Sequence, residues 1–257
     1  MSAESGNLGA ARSSAMLREL HAALRGGLKG AAGNVVLPDT SVGGMDAQAL
    51  LRPDSLRKSL AALGAAYADP DPRALGSIWS AWYFGMLTAP ALAACLRLDA
   101  PPSLDLPDVW FGLAEKGHVC AVGFRRSDPA LAALSVAERL SAFVGGHLQA
   151  VIEALAEHTG LSRNVLWGNA AGHWIWCVRA LREGGAGPEL AEAASFMERP
   201  SLICGAANPL RGRIQMIGVE GNEIARRRTC CLRYLLPGVP TCGAVCPLPA
   251  SVCSRAA

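Results

Sequence analysis

Arg226-Arg-Arg-Thr-Cys-Cys-Leu-Arg-Tyr-Leu-Leu-Pro-Gly-Val-Pro-Thr-Cys-Gly-Ala-Val-Cys-Pro247 gathers four of the nine cysteines of this chain near its end. Cys230 and Cys231 are adjacent, ten residues separate them from Cys242, and three more separate Cys242 from Cys246. Four thiols this close are the minimum set for a tetrahedral all-thiolate metal centre or a two-iron cluster. A zinc finger spaces its paired ligands by two to four residues, so an adjacent pair is not that pattern. Pro237-Gly238 lies between the pairs. Proline fixes one turn angle and glycine permits the left-handed one, so the chain can fold back there. In an extended chain Cys230 and Cys231 would point to opposite sides. The sequence leaves open which thiols would share an iron, and Cys253 is an alternative to Cys246 as the fourth ligand.

This cysteine pattern resembles the C-terminal motif of the FhuF-type ferric-siderophore reductases, Cys-Cys-x10-Cys-x2-Cys, which binds [2Fe-2S]. Cys230, Cys231 and Cys242 match its first three positions, and Cys246 departs by one extra residue. Arg228-Thr-Cys-Cys-Leu-Arg-Tyr, Cys246-Pro and the upstream Leu166-Trp-Gly-Asn-Ala-Ala are also similar to segments of that family. The resemblance implies a [2Fe-2S] cluster on Cys230, Cys231, Cys242 and Cys246. It further implies one-electron reduction of Fe(III) in a siderophore, with release of Fe(II). Ferric iron is the harder cation and is held more tightly by hydroxamate and catecholate oxygens than ferrous iron is.

The rest of the chain limits the alternatives. At 257 residues, 51% of them apolar and 18% charged, it is long and hydrophobic enough for a proper core. A net charge of +3 gives no general case for nucleic-acid binding. The charge is uneven, because eight arginines from Arg199 onward face only Glu220 and Glu223. Arg226, Arg227, Arg228 and Arg233 would favour a reduced, more negative cluster, or dock an acidic donor or an anionic chelate. The first fifteen residues lack an apolar stretch, which argues against a secretory signal and for reduced thiols in the cytoplasm. Cys95, Cys120, Cys177 and Cys204 sit among apolar neighbours and are expected in the core.

The expected fold class is α+β: a mainly helical body over residues 1–199 with one β-hairpin, and a small irregular cysteine-rich tail over 200–257. Met16, Leu17, Leu20, Leu24 and Leu28 recur at helical spacing between basic residues. Such a helix packs on a core or makes a peripheral contact with the inner membrane. A helix is predicted from about Asp46 to Tyr67, interrupted early by Pro53. Ala74 to Leu96 carries no charge and has the length of a membrane span, yet Gly76, Gly85 and Pro90 interrupt it. A buried helix broken near Pro90 is the expectation. Val109–Leu113 and Val119–Phe124 predict a hairpin. Ser135 with Glu138 predicts a capping box opening a helix that stops at Gly160. Further helices are predicted from Ser162 to Glu183 and from Glu189 to Met197, then short strands at Ile214–Val219 and near the cysteines.

Other motifs carry less chemistry. Trp167 and Trp174 share a helix face seven residues apart and are expected in the core, or lining a groove beneath the tail if exposed. Asn169 and His173 are placed to meet a ligand or each other. His21, His118, His147 and His158 have no metal-ligand spacing. No dinucleotide fingerprint or P-loop is present, so electrons would come from a separate donor, a ferredoxin or a flavin reductase. Two other functions fit four clustered thiols: a structural zinc module serving as an interaction surface, and an iron-sulfur electron carrier or redox sensor without a siderophore site.

Overall fold

A computed structural model describes residues 2–38, 43–183, 185, 187–218, 223–249 and 252, with side chains from residue 13 onward. Cys253 and the end of the strand predicted at Ile214–Val219 lie outside the described residues. The chain runs through α1 (Ser2–Ala23), α2 (Lys29–Ala32), β1 (Gly44–Asp46), α3 (Ala47–Leu50), α4 (Pro53–Gly64) and α5 (Pro72–Arg97). Then come β2 (Val109–Leu113), β3 (Val119–Phe124), α6 (Pro129–Ala132) and α7 (Val136–Ala142). The last elements are α8 (Gln149–Thr159), α9 (Arg163–Glu183), α10 (Pro188–Phe196), β4 (Ile214–Ile217) and β5 (Ile224–Arg227). This is the α+β architecture expected, with helices dominant.

The core forms where α5 lies against α9. Trp79, Tyr83, Phe84 and Leu87 on α5 are fully buried, as is Trp174 on α9. Trp174 stacks between Phe143 and Phe196, and its Nε1 donates to the Ala193 carbonyl at 3.0 Å. Because α5 is enclosed on most sides it needs no charged stripe, which explains its apolar run. It has the length and composition of a membrane span, yet 72% of its most apolar window is buried inside the protein. It is also unbroken: Pro90 sits inside the helix, contrary to the expected break. The helix starts sharply, with the Asp71 carboxylate accepting from the Arg73 N–H at 2.8 Å and Pro72 at the first position.

The three-stranded antiparallel sheet β1–β2–β3 packs beside α5. Gly117 at the hairpin turn has φ of +77°, and a Cβ there would collide with the Ser59 carbonyl. The turn therefore seats on α4, where Ser59 Oγ donates to the Gly117 carbonyl and accepts from Trp79 Nε1 at 2.7 Å. The predicted Asp46–Tyr67 helix is corrected to three pieces: Asp46 ends a strand and caps α3, and Pro53 restarts the chain as α4. The Ser135–Glu138 capping box is present, and Gly160 closes α8 in the left-handed conformation. Between them, Phe143–Leu148 form a π-helical turn that the periodicity did not reveal. Cys95 and Cys177 are buried as expected, whereas Cys120 and Cys204 are exposed. Cys120 lies on an outward-facing position of β3, and Cys204 in a loop.

Candidate metal centre and the cleft beside it

Leu202, Leu210 and Leu236 bury the tail in the core of the body, and polar contacts tie it to α9. Arg213 Nη1 donates to Asn164 Oδ1 at 2.8 Å, Thr229 Oγ1 to the Asn164 carbonyl at 3.3 Å, and Arg179 Nη2 to the Glu223 carbonyl at 3.1 Å. Two glycines on α9 permit this approach. A Cβ on Gly168 would stand 3.0 Å from Thr229 Oγ1, and one on Gly172 would stand 3.3 Å from the Arg227 guanidinium. β4 and β5 pair antiparallel, with Ile214 opposite Arg227. Strand alternation sends Arg227 inward, 9% exposed, and leaves Arg226 and Arg228 exposed.

Arg227 ends a buried polar chain. Its Nη1 donates to Asn169 Oδ1 at 2.6 Å, and Asn169 Nδ2 donates to Ser80 Oγ at 2.8 Å and Ser77 Oγ at 3.0 Å. Asn169 and His173 do not meet each other in a hydrogen bond; Asn169 holds Arg227, and His173 lines a cavity.

Beyond β5 the backbone bends at Leu232, whose φ of +58° is unusual for a branched residue. The adjacent thiols just before this bend differ in environment. Cys230 stays partly exposed and its Sγ accepts from the Leu232 N–H at 3.3 Å, while Cys231 turns inward to 3% exposure. Gly238 takes the left-handed turn foreseen at Pro237-Gly238, with φ of +75°. The chain returns to bring Cys242 Sγ within 3.0 Å of Cys231 Sγ. Cys246 is buried at 7% exposure, at the end of the Gly243–Val245 turn that packs on β5.

The electrostatics favour negative sulfur. The Cys242 thiol, donating to Cys231, holds the Cys231 thiol well below its ordinary value despite burial. The Arg233 backbone N–H and the charges of Arg227 and Arg233 act in the same direction, and Cys242 is pushed up as the proton-bearing partner. Arg233 Nε is buried and has no hydrogen-bond partner among the described residues. Among those residues no three His, Cys, Asp or Glu side chains converge on one metal position; the cysteines meet as a pair. Two thiolates per iron is the requirement of a [2Fe-2S] cluster. A thiol–thiolate pair sharing one proton, two arginines whose charges act on it and an unpartnered buried N–H suit such an anionic group.

A cavity of about 510 Å³ opens between α5, α9, the β4–β5 hairpin and Val245; Arg227, whose charge acts on Cys231, lines it, and the cysteines do not. Trp82 on α5 and Trp176 on α9 stand at its rim, 43% and 52% exposed. His173 forms part of its wall, and burial, followed by the charges of Arg227 and Arg233, pushes this imidazole down to about 4. Trp167 and Trp174 are core residues and do not line the groove, because they face the opposite side of α9. The sequence did not single out Trp82, Trp176 or Arg179. Trp176 is two residues from Trp174 and so lies on another helix face, a usable signal.

A thiol–thiolate pair under the charge of two arginines, with an aromatic-rimmed cleft that Arg227 also lines, defines a candidate thiolate metal centre with an adjoining cavity. Residues 77–220 match the family described as the ferric iron reductase FhuF-like transporter, and residues 227–248 match the FhuF 2Fe-2S C-terminal domain. The chain belongs to this family, and its cofactor is a [2Fe-2S] cluster. It is similar to the ferric siderophore reductase of Escherichia coli (strain K12), 27% identical over 170 residues. That match covers 65% of this chain and 63% of the length of the relative.

Proposed function

We propose that the protein is a cytoplasmic ferric-siderophore reductase whose cluster is held by Cys230, Cys231, Cys242 and Cys246. The observation that carries this is the pair Cys231 and Cys242, 3.0 Å apart, under the charge of Arg227, which also lines the cleft. The matched 2Fe-2S segment, residues 227–248, contains all four cysteines and ends before Cys253, which supports Cys246 as the fourth ligand. The proposed division is a helical body over 1–199 and a cluster-binding region over 200–257; the 2Fe-2S match lies within the second, and the larger match extends to residue 220.

A [2Fe-2S] cluster supplies one electron at a time to Fe(III) in a chelate bound beside it. The work of the chain is then placement and electrostatics. The Cys231 environment favours thiolate over thiol, whereas Cys242 holds the shared proton and must release it on ligation. Arg227 and Arg233 oppose the added negative charge of the reduced state. Cys231 is buried and its neighbour Cys230 is partly exposed, and α9 forms one wall of the cleft for the chelate. Each Fe(III) takes one electron and leaves as Fe(II). A separate protein, a ferredoxin or a flavin reductase, returns that electron.

The test is visible absorption and low-temperature EPR of anaerobically purified protein before and after dithionite. Bands that bleach, with a rhombic S = 1/2 signal on reduction, are expected, together with Fe(II) released from a ferric siderophore. A colourless protein containing zinc would refute this function and leave a structural zinc module. A cluster that reduces no chelate would leave an electron carrier or sensor.

A further inference from the structure

We infer that Tyr83 and His147 form a proton-coupled redox pair, and that Trp82 and Trp79 conduct oxidising equivalents to it from the cleft. The source of those equivalents rests on the reductase function proposed above. Fe(II) freed at the cleft reduces hydrogen peroxide by one electron, giving hydroxide and a hydroxyl radical. That oxidant arises where Trp82 stands, partly exposed at the rim. The route inward depends only on the geometry around α5.

Indole and phenol are the most easily oxidised aromatic side chains, and α5 sets three of them in a row. Trp79 and Trp82 are three residues apart, a spacing that makes side chains neighbours on a helix. Trp79 and Tyr83 are four apart and stack with ring centres 5.3 Å apart. Both of these inner rings are fully buried, so Trp82 is the member of the row that meets an oxidant in the cleft.

Of the two buried rings, only Tyr83 has a base for its proton. Trp79 Nε1–H donates to Ser59 Oγ at 2.7 Å and to the Gly117 carbonyl at 3.3 Å, and neither group takes up a proton at neutral pH. Trp79 therefore carries the charge only as a transient radical cation. The Tyr83 O–H lies 2.7 Å from His147 Nε2. The Leu104 carbonyl, 2.7 Å from Nδ1, can only accept, so it fixes the ring hydrogen on Nδ1 and leaves the Nε2 lone pair facing the phenol. Burial raises the phenol and lowers the imidazole to about 4, which keeps both neutral before oxidation. Once oxidised, a phenol is a far stronger acid than imidazolium, and its proton crosses the short bond. The electrons balance: the hydroxyl radical gains one and becomes hydroxide, and Trp82, Trp79 and Tyr83 supply it in turn. Tyr83 ends as a neutral phenoxyl radical and His147 as imidazolium. A small-molecule thiolate at the cleft reverses the route by giving up one electron and leaving as the thiyl radical, while the proton returns from Nε2.

The experiment photo-oxidises cluster-loaded protein with a ruthenium polypyridyl sensitiser and persulfate, a one-electron oxidant independent of chelate turnover, and freezes it for EPR. The oxidised cluster gives no EPR signal of its own. The chain has three tyrosines, so Tyr67→Phe with Tyr234→Phe leaves Tyr83 as the sole source of a tyrosyl signal. That signal is expected in this background. His147→Gln keeps an acceptor for the phenol but no base, and should replace the tyrosyl signal with a tryptophanyl one while the visible absorption of the cluster reports an intact fold. Trp82→Phe, a change at the rim, should weaken the tyrosyl signal and leave the cluster unchanged. A missing tyrosyl signal in the Tyr83-only background, or an undiminished one in His147→Gln, overturns the redox pair. An undiminished signal in Trp82→Phe overturns the route from the cleft. A ferric siderophore left unreduced would overturn the reductase function alone, since the photo-oxidation does not depend on it.

Discussion

Two buried polar centres hang from α5, and they differ in how they end. In one, Tyr83 O–H donates to His147 Nε2 at 2.7 Å, and His147 Nδ1–H donates to the Leu104 carbonyl at 2.7 Å. Both ring nitrogens are satisfied, and burial pushes the imidazole down to about 4, so the centre is neutral and closed. In the other, Ser77 and Ser80 hold Asn169, which holds Arg227, and no carboxylate completes the chain among the described residues. Burying a charge without a counter-charge is costly. The negative charge that acts on Arg227 is the Cys231 thiolate, which shares a proton with Cys242. A closed network fixes the body; an open one displays charge toward the cofactor.

Removing the negative partner should have the largest effect. Cys231→Ser or Cys242→Ser is expected to abolish the visible absorption of the cluster in anaerobically purified protein. Undiminished absorption in either variant would contradict the ligand assignment. Next, Asn169→Leu should leave Arg227 with no hydrogen-bond partner and destabilise the protein by about 3 kcal/mol in denaturant titration. Asn169→Asp should instead retain stability and lower the cluster midpoint potential, because a carboxylate offsets the Arg227 charge. An unchanged potential in that variant would show that Arg227 does not act on the cluster.

The closed centre should respond to acid. His147 falls from the ordinary value of 6.5 to about 4 in the folded protein, so the unfolded chain binds the extra proton. Its contribution is therefore fully present above pH 6.5 and is lost as pH falls toward 4, by about 3 kcal/mol. Thermal denaturation across that interval should show the loss, and His147→Gln should flatten it. The smallest effect is expected from Tyr83→Phe, about 1 kcal/mol in stability with no change in cluster potential. A shifted potential would mean that the two centres are coupled through α5.

Local signals in the sequence were dependable where one or two residues dictate backbone geometry. Ser135 with Glu138, Gly160, and the Val109–Phe124 hairpin all stand where predicted. The signal failed at Pro90, because the buried surroundings of α5 from Leu87 to Leu96 hold a helix through a residue that would break an isolated one. It failed at Cys120, where strand alternation put a cysteine outward despite apolar neighbours. The cysteine cluster itself was legible from spacing and from a known motif. Its surroundings were not, since Arg227, Asn169 and Ser77 are far apart in the chain and meet only across β5, α9 and α5.

The sequence by itself determined the helices, the hairpin, the turn at Pro237-Gly238 and the four thiols, because each depends on residues near one another along the chain. Only the tertiary structure decided that Arg227 rather than Arg226 or Arg228 faces inward. It likewise decided that Trp82 and Trp176, not Trp167 and Trp174, border the cleft. The reason is that side-chain direction on a strand or helix acquires meaning only once another element covers one face. Here α9, with Gly168 and Gly172 clearing the approach, is the surface that covers the tail.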